Sequence, residues 1–138
     1  MDAEIGAVRF DPANPGFELA VEVESSGLVV NVTGRIDNIE ALIAMFVRIA
    51  AELRRTGLRQ LLVIDHTFGV VPPEDQLQQL VDSVGGQGFA DVRLAYVDAR
   101  GTAISRMEVG EIIGREHGYE CRVFDNESRA RIWLHYGE

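Results

Sequence analysis

The chain contains no lysine; its thirteen basic residues are all arginine. That absence excludes every mechanism built on a lysine side chain: the phosphate-binding residue of a Walker loop, Schiff-base chemistry, and the lysine of response-regulator receiver domains. There is one cysteine, Cys121, so no internal disulfide can form, which fits a reducing, cytoplasmic compartment. No basic start followed by an apolar core marks a signal peptide, and no apolar run approaches the about 18 residues of a membrane span. Paired spacings such as H-x-x-x-H or C-x-x-C are missing, as is a G-x-S-x-G elbow, and His66, His117 and His135 lie in different elements. The expectation is a chain without metal, cofactor or catalytic machinery. Positive charge is scarce too. A net charge of −9 and a pI near 4.8 repel phosphate backbones and anionic lipid, so neither nucleic acid nor a membrane is an expected partner.

What is present is ordinary globular material. At 138 residues, with 46% hydrophobic and 25% charged residues, the chain fits one domain large enough to fold without staples. Residues 1–16, with Asp11, Pro12, Asn14, Pro15 and Gly16, read as an irregular arm with a short strand near Ala7–Phe10; residues 17–138 read as a single domain. Phe17, Leu19, Val21 and Val23 alternate with Glu18, Ala20, Glu22 and Glu24, giving a strand with one wet face. After Ser25-Ser26-Gly27, the alternation from Leu28 to Thr33 gives a second strand and hence an antiparallel hairpin. Asp37 and Glu40 have the spacing of a capping box, and Ile39, Leu42, Ile43, Phe46, Ile49, Ala50 and Leu53 share one helical face that Gly57 terminates. Leu61–Ile64 is a continuous apolar run, as in a strand buried on both faces. Pro72-Pro73 and then Glu74-Asp75 open a second helix with Leu77, Leu80, Val81 and Val84 inward. Gly85-Gly86-Gln87-Gly88 ends that helix and does not open one, so it is not a phosphate loop. Val92 to Val97 is a fourth strand, Thr102 caps a third helix running to His117, and Cys121, Val123 and Phe124 form a fifth strand. Asn126 or Ser128 caps a last helix carrying Ala130, Trp133 and Leu134. The order β-β-α-β-α-β-α-β-α predicts an α/β fold: a mixed sheet of about five strands with about four helices.

Asp65-His66-Thr67 follows the most buried strand, and open α/β sheets bind ligands beyond the carboxyl ends of their strands. The plainer role for Asp65 is to turn the chain by accepting backbone N–H bonds. Gly110 and Gly114, four residues apart in the third helix, point to close approach of a backbone: the protein's own sheet, or a second copy. His117 beside Gly118 suits the negative end of a helix dipole.

The ordered segments Val30–Ile36, Leu61–Asp65, Val92–Val97 and Arg122–Asp125 followed by Ala130–Leu134 resemble the STAS-like superfamily, and in particular the bacterial branch similar to anti-sigma-factor antagonists. The likeness runs from about residue 17 to 136 and is carried by order and spacing, not by any single motif. Antagonists carry a phosphorylatable Ser after the central strand, in an Asp-Ser-Ser-Gly-like motif. Here the stretch is Asp65-His66-Thr67-Phe68-Gly69-Val70-Val71-Pro72-Pro73, with Thr67 the only hydroxyl. The resemblance therefore implies a regulatory, protein-binding domain without the usual serine, with a binding face formed by Arg35, Asp65, His66, Thr67 and Phe68.

Three functions compete. The first is a protein-interaction module, self-associating or binding another protein. The second is a small-molecule or lipid carrier with an apolar pocket lined by Met45, Phe46, Phe68, Phe89 and Met107. The third is an enzyme with a site at Arg35, Asp65 and His66.

Overall fold

A computed structural model describes residue 11, residues 13–70 and residues 72–136, with Ser105 described in its backbone alone. The short strand expected near residues 7–10 lies outside the described residues. The elements, in chain order, are β1 (Phe17–Glu24), β2 (Gly27–Gly34), α1 (Ile39–Thr56), β3 (Gln60–Asp65), α2 (Glu74–Val84), β4 (Arg93–Asp98), α3 (Ile104–Glu116), β5 (Glu120–Phe124) and α4 (Glu127–Tyr136). The expected element order and α/β class are observed.

The five strands lie side by side in sequence order, β1-β2-β3-β4-β5. β1 and β2 pair antiparallel, with Phe17 opposite Gly34 and Glu24 opposite Gly27; all later neighbours pair parallel. Each parallel step moves in one direction across the sheet, and such crossovers share a hand, so their helices fall on one face. The core divides accordingly. Leu28, Val30, Val32, Leu61, Val63 and Tyr96 pack with α1 and with Val84 and Phe89 on that face. Val29, Leu62, Ile64, Ala95 and Val97 point the other way and pack with Ala130, Trp133 and Leu134 of α4. β3 is therefore central and sandwiched: Leu61 and Val63 are 0% exposed, Leu62 2% and Ile64 5%. Each such side chain contributes about 1.5–3 kcal/mol by leaving water.

Two glycines are dictated by the backbone, one by close approach and one by a left-handed helix end. A Cβ on Gly27 would lie 2.6 Å from the Gln60 carbonyl oxygen, where β3 enters beside β2. Gly57 adopts φ 71° and donates its N–H to the Leu53 carbonyl at 2.8 Å, ending α1 as the sequence suggests.

Two helix caps differ from expectation. Asn38, not Asp37, caps α1, its Oδ1 accepting the Ala41 N–H at 2.9 Å. Asp37 lies one residue too early and accepts from Arg35 Nε at 2.8 Å instead. Glu40 then falls at the second helical position, where it cannot close a capping box. Thr102 does not cap α3. The Asp98 carboxylate, at the end of β4, accepts the Ala103 N–H at 2.7 Å and the Arg100 N–H at 3.2 Å. A buried carboxylate fixed on a strand supplies the missing acceptor from outside the helix. Asn126 does cap α4, accepting the Arg129 N–H at 2.8 Å.

Candidate functional site

The rim at the carboxyl end of β3 is built outward from Asp65. Its Oδ1 accepts the Thr67 N–H at 2.8 Å and the Thr67 hydroxyl at 2.6 Å, and its Oδ2 accepts the Tyr96 hydroxyl. Three donors on one carboxylate fix the chain reversal, so Asp65 has the turn-forming role expected of Asp in that position. Tyr96 is buried. That burial, and next the Asp65 charge, hold its phenol well above its ordinary pKa, so it stays a donor. His66 departs on the opposite face, as strand alternation requires. Its Nε2 lies 3.0 Å from Asn31 Oδ1, and its backbone N–H continues the β2–β3 ladder to the Val32 carbonyl at 2.9 Å.

The next residues are stitched to the exit of β2. The Phe68 N–H donates to Gly34 at 3.0 Å, the Ile36 N–H donates to Phe68 at 2.9 Å, and Arg35 and Phe68 form a parallel bridge. Gly69 follows with φ 128°, and a Cβ there would collide with the Ile36 carbonyl oxygen. A side chain is thus excluded where Gly69 passes the Ile36 carbonyl. The result is a short continuation of the sheet that holds Phe68 and Val70 outward, 56% and 62% exposed.

Of the five residues expected at the site, Arg35, Asp65, Thr67 and Phe68 come together on this rim. His66 contributes its backbone carbonyl there, but its side chain turns to Asn31. The His66 side chain therefore does not join Asp65 on the rim, and Arg35 is held by Asp37. Four builders of the rim went unread in the sequence: Tyr96, Asp98, Arg100 and Arg106. The Arg100 guanidinium stacks 3.2 Å above the Phe68 ring centroid, and its Nε donates to the His66 carbonyl at 3.2 Å. Arg106 of α3 donates to the Pro72 carbonyl at 3.1 Å, tying α3 to the far side of the loop. The signal was available: Val97-Asp98-Ala99-Arg100 leaves the strand beside β3, where the carboxyl-end rule applies equally.

Between the rim and α3 lies a cleft of about 240 Å³ whose walls include Ile36, Leu42, Thr67, Tyr96, Thr102 and Met107. Among the described residues no group of three or more His, Cys, Asp or Glu side chains could hold a metal ion. No helix among them is long and apolar enough to cross a membrane. No protein-family model matches the chain, and no curated protein matches it.

Proposed function

We propose that this chain is a non-catalytic protein-interaction module whose docking surface is the rim of Phe68 and Val70 flanked by Arg35 and Arg100. One observation carries the reading. Two large apolar side chains stand in solvent on a loop whose backbone is bonded to β2 and whose glycine admits no substitute. Exposed apolar groups on a preorganised frame lose little entropy on binding, which is how interface anchors work. Arg100, stacked on Phe68, stands out against an overall charge of −9, with Arg35 beside it paired to Asp37, and favours a partner with an apolar residue next to a carboxylate, a second copy of this acidic chain included.

The resemblance to anti-sigma-factor antagonists of the STAS-like superfamily supports the same reading, since it implies a mixed sheet with a binding face after its central strand. Thr67 donates its hydroxyl to Asp65 and is engaged in the turn. The non-catalytic part of the proposal draws support from the divergence of Asp65 and His66. A cytoplasmic setting belongs to the same proposal and is supported by the single Cys121.

The test compares the wild-type chain with Phe68→Ser/Val70→Ser as baits in an extract of its own cell, alongside mass measurement in solution. A defined stoichiometric complex or dimer formed by the wild type and lost in a variant of equal melting temperature supports the proposal. Equal complexes from both chains, or none from the wild type, contradict it.

A further inference from the structure

The face of the sheet opposite α4 is not filled evenly. Beneath α1 the packing is complete, with Met45 and Ile49 at 0% exposure. Beneath α3 it is not. Gly114 is the one buried residue among those described in α3, and a Cβ added at Gly110 would meet nothing within 4 Å. The space left between α2, α3, β4 and β5 is a cavity of about 100 Å³.

Its walls are apolar: Leu77, Leu80 and Val81 from α2, Met107 from α3, Val123 from β5, and the Phe46, Phe89 and Tyr96 rings. Of the polar residues at its margin, which also include Arg122, Glu120 pairs with Arg93 and the Cys121 thiol donates to the Glu111 carbonyl at 3.8 Å. Glu111 Oε1 accepts the Val123 N–H at 2.7 Å, and the Tyr96 hydroxyl points to Asp65. A water needs two to four polar partners, which such walls do not offer, so this pocket, half open to solvent, favours an apolar guest. The rings decide the shape of the guest. Phe46 meets Phe89 edge-on at 6.1 Å and stacks with Tyr96 at 6.1 Å, presenting faces and edges to a further ring. Met107, unbranched and flexible, can yield to admit it.

We infer that the cavity between α2, α3 and the β4–β5 sheet is a binding site for a neutral aromatic molecule of one or two rings. The site adjoins the cleft beside the rim, sharing Tyr96 and Met107 with it, but includes neither Phe68 nor Val70, and its existence does not depend on the interaction proposal. It keeps three of the five residues expected to line a carrier pocket, Phe46, Phe89 and Met107; Met45 is sealed in the core and Phe68 lies on the rim.

The experiment is a titration of methyl-labelled protein with benzene and with indole, read at Leu77, Leu80, Val81 and Val123, on the wild type, Gly110→Ala and Gly110→Leu. Expected are saturable shifts at these methyls in the wild type. Gly110→Leu fills the void and weakens binding at least about tenfold. Gly110→Ala weakens it by a smaller factor while raising the melting temperature, which covers the case in which leucine is too large to fold. Absence of saturable shifts in the wild type, or affinity unchanged in the folded Gly110 variants, would overturn the inference. Shifts confined to the Val70 methyls would also overturn it, assigning the binding to the rim.

Discussion

At Tyr96 a single hydroxyl links two strands and closes the turn that begins the rim. Tyr96→Phe removes that donor but leaves Asp65 with both Thr67 bonds, so the expected loss is about 1–2 kcal/mol in urea unfolding with the fold retained. The phenol also sets an alkaline limit. In the folded chain burial keeps it neutral above its ordinary pKa of 10.0, whereas the unfolded chain releases the proton near 10. The unfolded state then holds fewer protons, so stability falls as pH rises above about 10. Cys121 acts in the same direction: burial pushes its thiol from 9.0 to about 11, and its share is lost as pH rises from 9 toward 11. Tyr96→Phe should therefore flatten the upper part of the stability–pH profile, and Cys121→Ser its lower part. Gly69 makes the sharpest single-residue demand. Gly69→Ala forces the Ile36 carbonyl aside and is expected to cost about 1–3 kcal/mol, measured by thermal unfolding. The sequence made Asp65 legible because Asp turns chains by a local bond. It left Tyr96 unread because its partner, Asp65, is fixed by strand neighbourhood, and Asp98 because it reaches Ala103 five residues on, beyond the spacing of an ordinary helix cap.

Among the elements, α4 is tied at its C-terminal end by side chains from the sheet. Arg93 stacks 3.8 Å over the Trp133 ring centroid, pairs with Glu120, and donates to the Trp133 carbonyl at 2.8 Å, while Gln60 donates to the Leu134 carbonyl at 2.9 Å. The first residues of β3 and β4 thus satisfy carbonyls that the end of a helix leaves open. Trp133→Ala removes both the ring and its stacked arginine and is expected to cost about 3–5 kcal/mol. α3 is the counterpart. It lies over a cavity, is fastened at its ends by Asp98 and Arg106 and by His117, whose Nε2 lies 3.5 Å from Asp82, and meets β5 midway, where Glu111 Oε1 accepts the Val123 N–H at 2.7 Å. Its amides should exchange with deuterium faster than those of α1, whose inner face is filled. The sequence revealed α1 clearly because its apolar stripe, last-turn arginines and terminal glycine agree. For α3 the glycine pair was visible, and its meaning is mixed: Gly114 does meet the protein's own β5, where a Cβ would sit 3.0 Å from Cys121 Sγ, but Gly110 faces open space.

Over the whole molecule, what positions the rim is the sheet order. Periodicity identified five strands and a hairpin, and the apolar run Leu61–Ile64 identified the centre. The uniform stepping of the strands, which puts α1, α2 and α3 together and leaves α4 alone on the far face, is not written in any local pattern. At the edge of the sheet Glu18 and Glu22 stand exposed on β1, and like charges there oppose pairing with another strand, while Glu24 pairs with Arg131 of α4 at 3.0 Å. Contact with a partner is thereby directed away from β1 and toward the carboxyl end of β3, where arginines flank exposed apolar groups. That proposal depends on the rim being a rigid extension of the sheet and not a loose loop. Residue-resolved hydrogen exchange of the isolated protein tests this most directly. The Ile36 and Phe68 amides, bonded to Phe68 and Gly34, should be protected to a degree approaching that of the β3 amides. Exchange of these two amides at the rate of an unstructured chain would contradict it.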